Sequence, residues 1–311
     1  MNGVINIYKE KGCTSFSAAA RLRKITGEKK IGHTGTLDPD ACGVLPVCLG
    51  KATKLAGLIT DTDKEYKAKM IFGIATDTLD VSGKVLEKLS YEETAGRLES
   101  KEKILNAVKS FEGDISQLPP MYSAVKVGGV KLVDAARKGQ EIERQPRRVT
   151  IYGISDIEIA EDLLSAAFTV RCSKGTYIRT LCADIGEKLG VPACMRDLER
   201  TRACGFGLEG SHTLSEVEEY KKAGRLEELI IPADSLLTEY AALTVKNAAL
   251  KRLVFGNFMY FEDFIPGQKL GRAGSFRIYD ENGIFYGLYK YIEGENFYRC
   301  RKMLTEQKLP G

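Results

Sequence analysis

The chain offers a soft metal very little: two histidines and eight cysteines in 311 residues. The cysteines, at 13, 42, 48, 172, 182, 194, 204 and 300, form no Cys-x-x-Cys pair and do not gather about His33 or His212. That scatter argues against a zinc centre and a disulfide framework, and predicts reduced thiols in a cytoplasmic protein. Long apolar runs are also missing. None nears the roughly 18 residues of a membrane-spanning helix, and the apolar run in MNGVINIYKEKG is too short for a signal peptide, so a soluble protein is expected. No glycine fingerprint of a dinucleotide fold and no Walker pattern occurs, even where Gly50 precedes a helix-like stretch, and nucleotide binding is not indicated. Charge is nearly balanced, 46 Lys and Arg against 42 Asp and Glu. The net field therefore says little about a polyanionic partner, and the distribution of charge matters more. What remains is ordinary globular composition, 43% hydrophobic and 28% charged, fitting one large domain and a small one.

The densest chemistry lies in Ile31 to Gly43, IGHTGTLDPDACG. One imidazole, two carboxylates, a proline and three glycines stand in thirteen residues with no helical or strand period. Such a loop buries no apolar face, and its side chains are free to meet a ligand. A carboxylate pair for Mg²⁺ would sit at the end of an apolar strand, but Lys29, Lys30, Gly32 and Gly35 occupy that place, so no metal is expected. An isolated Asp38-Pro39 would read as an Asx-turn. The wider pattern changes that reading. Gly32-His33-Thr34-Gly35-Thr36-Leu37-Asp38-Pro39, followed by Gly43-Val44-Leu45-Pro46 and Gly50-Lys51-Ala52-Thr53-Lys54, resembles the signature loop of the TruB family, the tRNA pseudouridine-55 synthases.

The resemblance continues along the chain. It implies an α+β architecture: a large mixed α/β catalytic domain on a mainly antiparallel sheet over 1–238, and a small C-terminal β-barrel similar to PUA-type RNA-binding domains over 239–311. It also implies the isomerisation of uridine to pseudouridine in the tRNA T-loop, with base flipping and no cofactor. The family's aspartate falls on Asp38, its base-stacking tyrosine on Tyr66, and its pocket residues on Tyr177, Arg179 and Leu198. His33 is the candidate to fill the space the flipped base leaves; alone, it would read as a histidine satisfying loop carbonyls. Lys9 keeps the basic residue of a family Lys-Pro pair, with Glu10 in the proline's place, and the resemblance puts it among the substrate-binding residues of the pocket. The chemistry asks for a carboxylate near C1′, which could attack, stabilise an oxocarbenium-like centre, or take the 2′ proton. A guanidinium alongside favours its ionised form, which gives Arg179 a role, and Tyr66 could receive the C5 proton. A rival reading, an RNA-folding protein with an idle pocket, sits poorly with Asp38, Tyr66 and Arg179 together. A guide-RNA-dependent relative would show a long Lys-rich tail, so a stand-alone monomer without an obligatory protein partner is expected.

Local patterns fill in the rest. Gly3–Tyr8 reads as a strand. Thr14 or Ser15 caps a helix closed by Gly27. Val44–Leu49 reads as a buried strand, followed by a helix over 51–59. Lys64–Phe72 alternates with Tyr66, Ala68, Met70 and Phe72 on one face. TDTLDVSG at 76–83 is a polar loop matching the family, while 84–100 gives nothing beyond a solvated helix or loop. A helix is expected from Lys101 to Phe111. From Gln117 to Arg148, seven basic residues, Lys126, Lys131, Arg137, Lys138, Arg144, Arg147 and Arg148, against the acidic Asp134, Glu141 and Glu143 suggest an RNA-gripping insertion, placed at about 114–148. Val149–Ala160 and Ala166–Cys172 read as strands, Thr176 as the cap of a helix to Gly190 with Arg179 in its first turn, and His212 as structural. Phe276–Gly287 is a hairpin turning at Asn282-Gly283.

Overall fold

A computed structural model describes residues 1–60 and 62–304. Its main sheet takes, in chain order, β1 (Gly3–Lys9), β2 (Ile31–His33), β3 (Cys42–Leu49), β4 (Lys64–Phe72), β5 (Gly113–Gln117), β6 (Arg147–Ile159), β7 (Ser165–Cys172) and β8 (Ala193–Ala203). The strands lie in the order β1-β3-β8-β4-β7-β6-β5, with β2 also on β3. Among these pairings only β3 with β8 is parallel, at Cys42 opposite Glu199 and Gly43 opposite Arg200. β4 and β8 occupy the middle, so their inward side chains are buried on a sheet flanked on both sides.

The alternation in β4 is as the sequence predicts: Tyr66, Ala68, Met70 and Phe72 are buried and Lys67 is exposed. That face packs with Phe168 against α2 (Lys101–Lys109) and α3 (Ile178–Leu189), through Ile104, Leu181 and Ile185. Each such side chain contributes about 1.5–3 kcal/mol by leaving water. Ile5, Ile7 and Leu45 form a second core with Leu22 and Val217. Leu22 belongs to α1 (Ser15–Thr26), where the Thr14 side chain accepts from the Ser17 N–H and Gly27, at φ 73°, closes the last turn.

Three stretches differ from the sequence reading. Residues 50–59 form a 3₁₀ turn, Gly50–Leu55, and then a single helical turn, Ala56–Ile59. Within 84–100 there is a strand, Val85–Lys88, and a helix, Tyr91–Leu98, opened by a Ser90–Glu93 capping box whose S-x-x-E signature was present in the sequence. β5 pairs with β6 from Gly113 opposite Ile151 to Gln117 opposite Arg147. The segment that leaves the sheet is therefore 118–146, narrower than 114–148, and Arg147 and Arg148 stand on β6.

Residues from 241 onward build a separate sheet: β9 (Ala241–Thr244), β10 (Met259–Tyr260), β11 (Ser275–Tyr279), β12 (Phe285–Ile292) and β13 (Phe297–Met303), in the order β9-β11-β12-β13-β10, curled into a half-barrel. Tyr298 at its centre meets Phe264, Phe276 and Tyr291 edge-on at 5.1–5.4 Å. The hairpin of β11 and β12 forms as predicted, but its loop is wider than an Asn-Gly turn. The Asp280 carboxylate accepts from the N–H groups of Asn282 and Ile284, both at 2.9 Å, and organises the loop through 284. Leu288 and Leu304 rest on Val4, Cys48 and Leu55 of the first unit. Among the described residues, no helix is long and apolar enough to cross a membrane.

Candidate active site

The loop between β2 and β3 is held from behind. Lys9, 1% exposed at the end of β1, donates to the carbonyls of Glu10 at 3.0 Å, Pro39 at 3.1 Å and Ala41 at 2.6 Å. All three ammonium protons are engaged, so Lys9 positions the loop instead of meeting a ligand, contrary to its expected place in the pocket. The Ser15 hydroxyl clasps Leu37, accepting from its N–H at 2.8 Å and facing its carbonyl at 3.2 Å. Gly43 ends the loop at φ 107°, where an added Cβ would lie 2.3 Å from the Arg200 carbonyl. Only glycine lets β3 come this close to β8.

So anchored, the loop presents Asp38 to a cavity of about 1220 Å³. Arg179 meets the carboxylate with both arms of its fork, Nε to Oδ2 at 2.9 Å and Nη2 to Oδ1 at 3.1 Å. Its other protons go to the carbonyls of Tyr122 and Thr78, each at 2.9 Å, with Asp80 at 3.8 Å from Nη1. This answers why a cation sits in the first turn of α3, where the macrodipole disfavours it. The helix cap differs from expectation: Tyr177 is the N-cap, and the Thr176 hydroxyl donates to the Ser173 carbonyl. Gln117 of β5 fixes Tyr177 by accepting from its N–H at 3.0 Å and donating to its carbonyl at 3.2 Å.

Burial dominates the electrostatics. It raises the Asp38 carboxyl above its usual 3.8; Arg179 opposes the rise, Asp80 adds to it, and Lys9 opposes it. The guanidinium thus limits the shift without reversing it, a correction to the expectation that the pair would favour ionisation outright. The Tyr66 phenol is pushed up to about 12, mainly by burial, with the Arg200 cation pulling the other way.

Five of the seven residues singled out in the sequence line this cavity: Asp38, Tyr66, Tyr177, Arg179 and Leu198. His33 does not. It ends β2 half-buried, its Nδ1 accepting from the Gly35 N–H at 3.4 Å, and burial together with Arg200 favours its neutral form. Three contributions were missed. Asp80 lay inside a loop read only as polar. Arg200 is two positions from Leu198 on β8, so the alternation that put Leu198 on the wall puts Arg200 there too. The segment 118–146 supplies Tyr122, Ser123, Val133 and Arg137 to the wall. Of its expected arginines, Arg144 donates to the Pro119 carbonyl at 3.1 Å, while Arg148 on β6 pairs with Asp114 at 2.7 Å. Lys126, Lys131 and Arg137 are exposed, with no carboxylate partner among the described residues.

An aspartate clamped by an arginine, in a wide cavity beside a buried tyrosine on a mainly antiparallel sheet, is the arrangement of a pseudouridine synthase. Comparison with known proteins narrows this. Residues 23–178 match the family model for the TruB family pseudouridylate synthase N-terminal domain, and residues 179–238 match that for the tRNA pseudouridylate synthase B C-terminal domain. The tRNA pseudouridine synthase B of Clostridium perfringens (strain SM101 / Type A) is 45% identical over 99% of this chain and 100% of its own length. That of Lachnoclostridium phytofermentans is 46% identical over 97% and 99%. A solved chain from a Cbf5-Nop10-Gar1 complex superposes with a TM-score of 0.69 at 28% identity, covering 97% of this chain and 85% of that one. Another, from an H/ACA RNP bound to a substrate RNA containing 2′-deoxyuridine, has the same TM-score at 26% identity and the same coverage. The chain belongs to the TruB family of pseudouridylate synthases.

Proposed function

We propose that this chain isomerises uridine to pseudouridine at position 55 in the T-loop of tRNA, with Asp38 acting at C1′ of a nucleotide flipped into the cavity. The observation that carries the assignment is the two-armed Arg179–Asp38 pair facing a cavity that Tyr66 and Leu198 also line. Leaving the T-loop costs the target base a few kcal/mol, and stacking on Tyr66 offsets about 1–3 kcal/mol of that. Tyr177 and Leu198 flank the base, and His33, behind Gly35, enters the space it vacates. Residues 1–238 form the catalytic domain in this reading, and the half-barrel from 239 onward is a second, PUA-like RNA-binding unit. In this reading the enzyme is a cytoplasmic monomer that uses no cofactor, and the basic rim that 118–146 gives the cavity supports its gripping RNA without a protein partner.

The test is tritium release from a T-arm stem-loop labelled at C5 of its uridines, with purified protein alone and with EDTA added. Release from one uridine, unchanged by EDTA, is expected. Tight binding without release would leave a protein that only holds or folds RNA.

Tyr66→Phe is expected to keep RNA affinity, because the ring still stacks, and to slow release about 10²-fold or more through loss of the proton acceptor. Single-turnover rates measured beside binding decide this, and a wild-type rate would remove Tyr66 from the proton transfer. Replacing Lys126, Lys131 and Arg137 by Gln should weaken binding at low salt and flatten its salt dependence by roughly 0.7–0.9 for each phosphate no longer neutralised. Binding titrations across a salt series measure that slope directly, and an unchanged slope would leave the segment as plain surface.

A further inference from the structure

Arg200 has no task in the reading above. It is 1% exposed and yet lines the cavity. Buried charges are ordinarily paired with opposite ones, as Arg179 is. Arg200 pairs with no carboxylate among the described residues: its Nε donates to the Val44 carbonyl at 2.8 Å, and its two amino groups reach Thr36 and Gly35 carbonyls only at 3.4 Å. Those last two hydrogen bonds are near the limit of length. Its charge also acts on the Tyr66 phenol and on the His33 imidazole. Arg200 and Tyr66 are cross-strand partners in the β8–β4 register, so the backbone itself holds them face to face.

We infer that Arg200 is a positioning residue of the isomerisation: its guanidinium steadies the Tyr66 oxygen and the Gly35–Thr36 carbonyls, and puts positive charge where that oxygen takes up the C5 proton. This rests on Tyr66 being the proton acceptor. Once C5 has joined C1′, the C5–H bond breaks and its electron pair closes C5=C6, while the N1=C6 pair returns to N1, which takes a proton from water. The C5 proton goes to the Tyr66 oxygen, whose own proton passes to the Asp38 carboxylate and from there back to water. Negative charge grows on the phenol oxygen during that exchange, and a fixed cation beside it lowers the barrier. Arg200, Cys172 and Asp38 all act on the phenol, and Arg200 is the cation directly across the strand pair from it.

The test is a double-mutant cycle on single-turnover tritium release, using wild type, Tyr66→Phe, Arg200→Met and the double variant, with Kd for the stem-loop measured alongside. Arg200→Met is expected to slow release about 10²-fold with Kd close to wild type. Arg200→Lys should restore most of the rate, and the double variant should be no slower than Tyr66→Phe alone. Should Arg200→Met not fold, Arg200→Gln, which keeps carbonyl hydrogen bonds without the charge, takes its place. Effects that multiply, or a wild-type rate with Arg200→Met, would overturn the inference while leaving Tyr66's role intact. A wild-type rate with Tyr66→Phe would remove both.

Discussion

Asp38→Asn is expected to lower turnover by on the order of 10⁴-fold or more, the scale at which enzymes lose a group that acts directly on the reacting atom. Asparagine keeps the shape of the side chain and so keeps the loop, which is held through Lys9, Ser15 and Gly43 and not through the carboxylate. What it loses is the negative charge at C1′. Binding of a T-arm stem-loop should therefore survive almost unchanged, since the phosphate-facing cations are elsewhere. Single-turnover tritium release together with a binding titration separates the two, and loss of binding with chemistry intact would contradict the assignment.

Arg179→Met should cost roughly 10²–10³-fold in rate, the scale of removing one preorganised charge-stabilising donor. It should also move the acid side of the pH profile. In the proposed reaction Asp38 works ionised, and its carboxyl already lies above 3.8 because burial outweighs the arginine. Activity is thus lost as pH falls through that raised value. Removing Arg179 takes away the largest opposing effect, so the acid limb should shift to higher pH. The sign for stability follows from the same shift: the folded state holds this proton more tightly than the unfolded chain, so stability falls as pH rises from 3.8 through the raised value. Ionised Asp38 is a cost to the fold, kept for function. An acid limb that stays in place in Arg179→Met would mean that Arg179 serves shape and not charge. The substitution also frees the Tyr122 and Thr78 carbonyls, so circular dichroism should accompany the kinetics to confirm folding.

Much of this protein was determined by its sequence alone, wherever structure follows from neighbours along the chain. The alternation of β4, the Thr14 and Gly27 ends of the first helix and the pairing of β11 with β12 are local consequences of side-chain period and turn chemistry, and they form as read, though the hairpin's loop is wider than an Asn-Gly turn. The motif around Asp38 likewise marked the carboxylate that Arg179 clamps at the cavity, because so dense a run of polar residues and glycines has no apolar face to bury. Tertiary structure decided what depends on pairing distant segments. Lys9 became a buried brace because β1 lies antiparallel to β3, which brings its ammonium beneath the Pro39 and Ala41 carbonyls. Asp80 and Tyr122 joined Arg179 only because the sheet folds their loops over α3, and β5 pairing with β6 set the limits of the basic segment. The raised carboxyl of Asp38 also belongs to the fold, since desolvation depends on everything packed around the group and outweighs the one partner that the motifs could name.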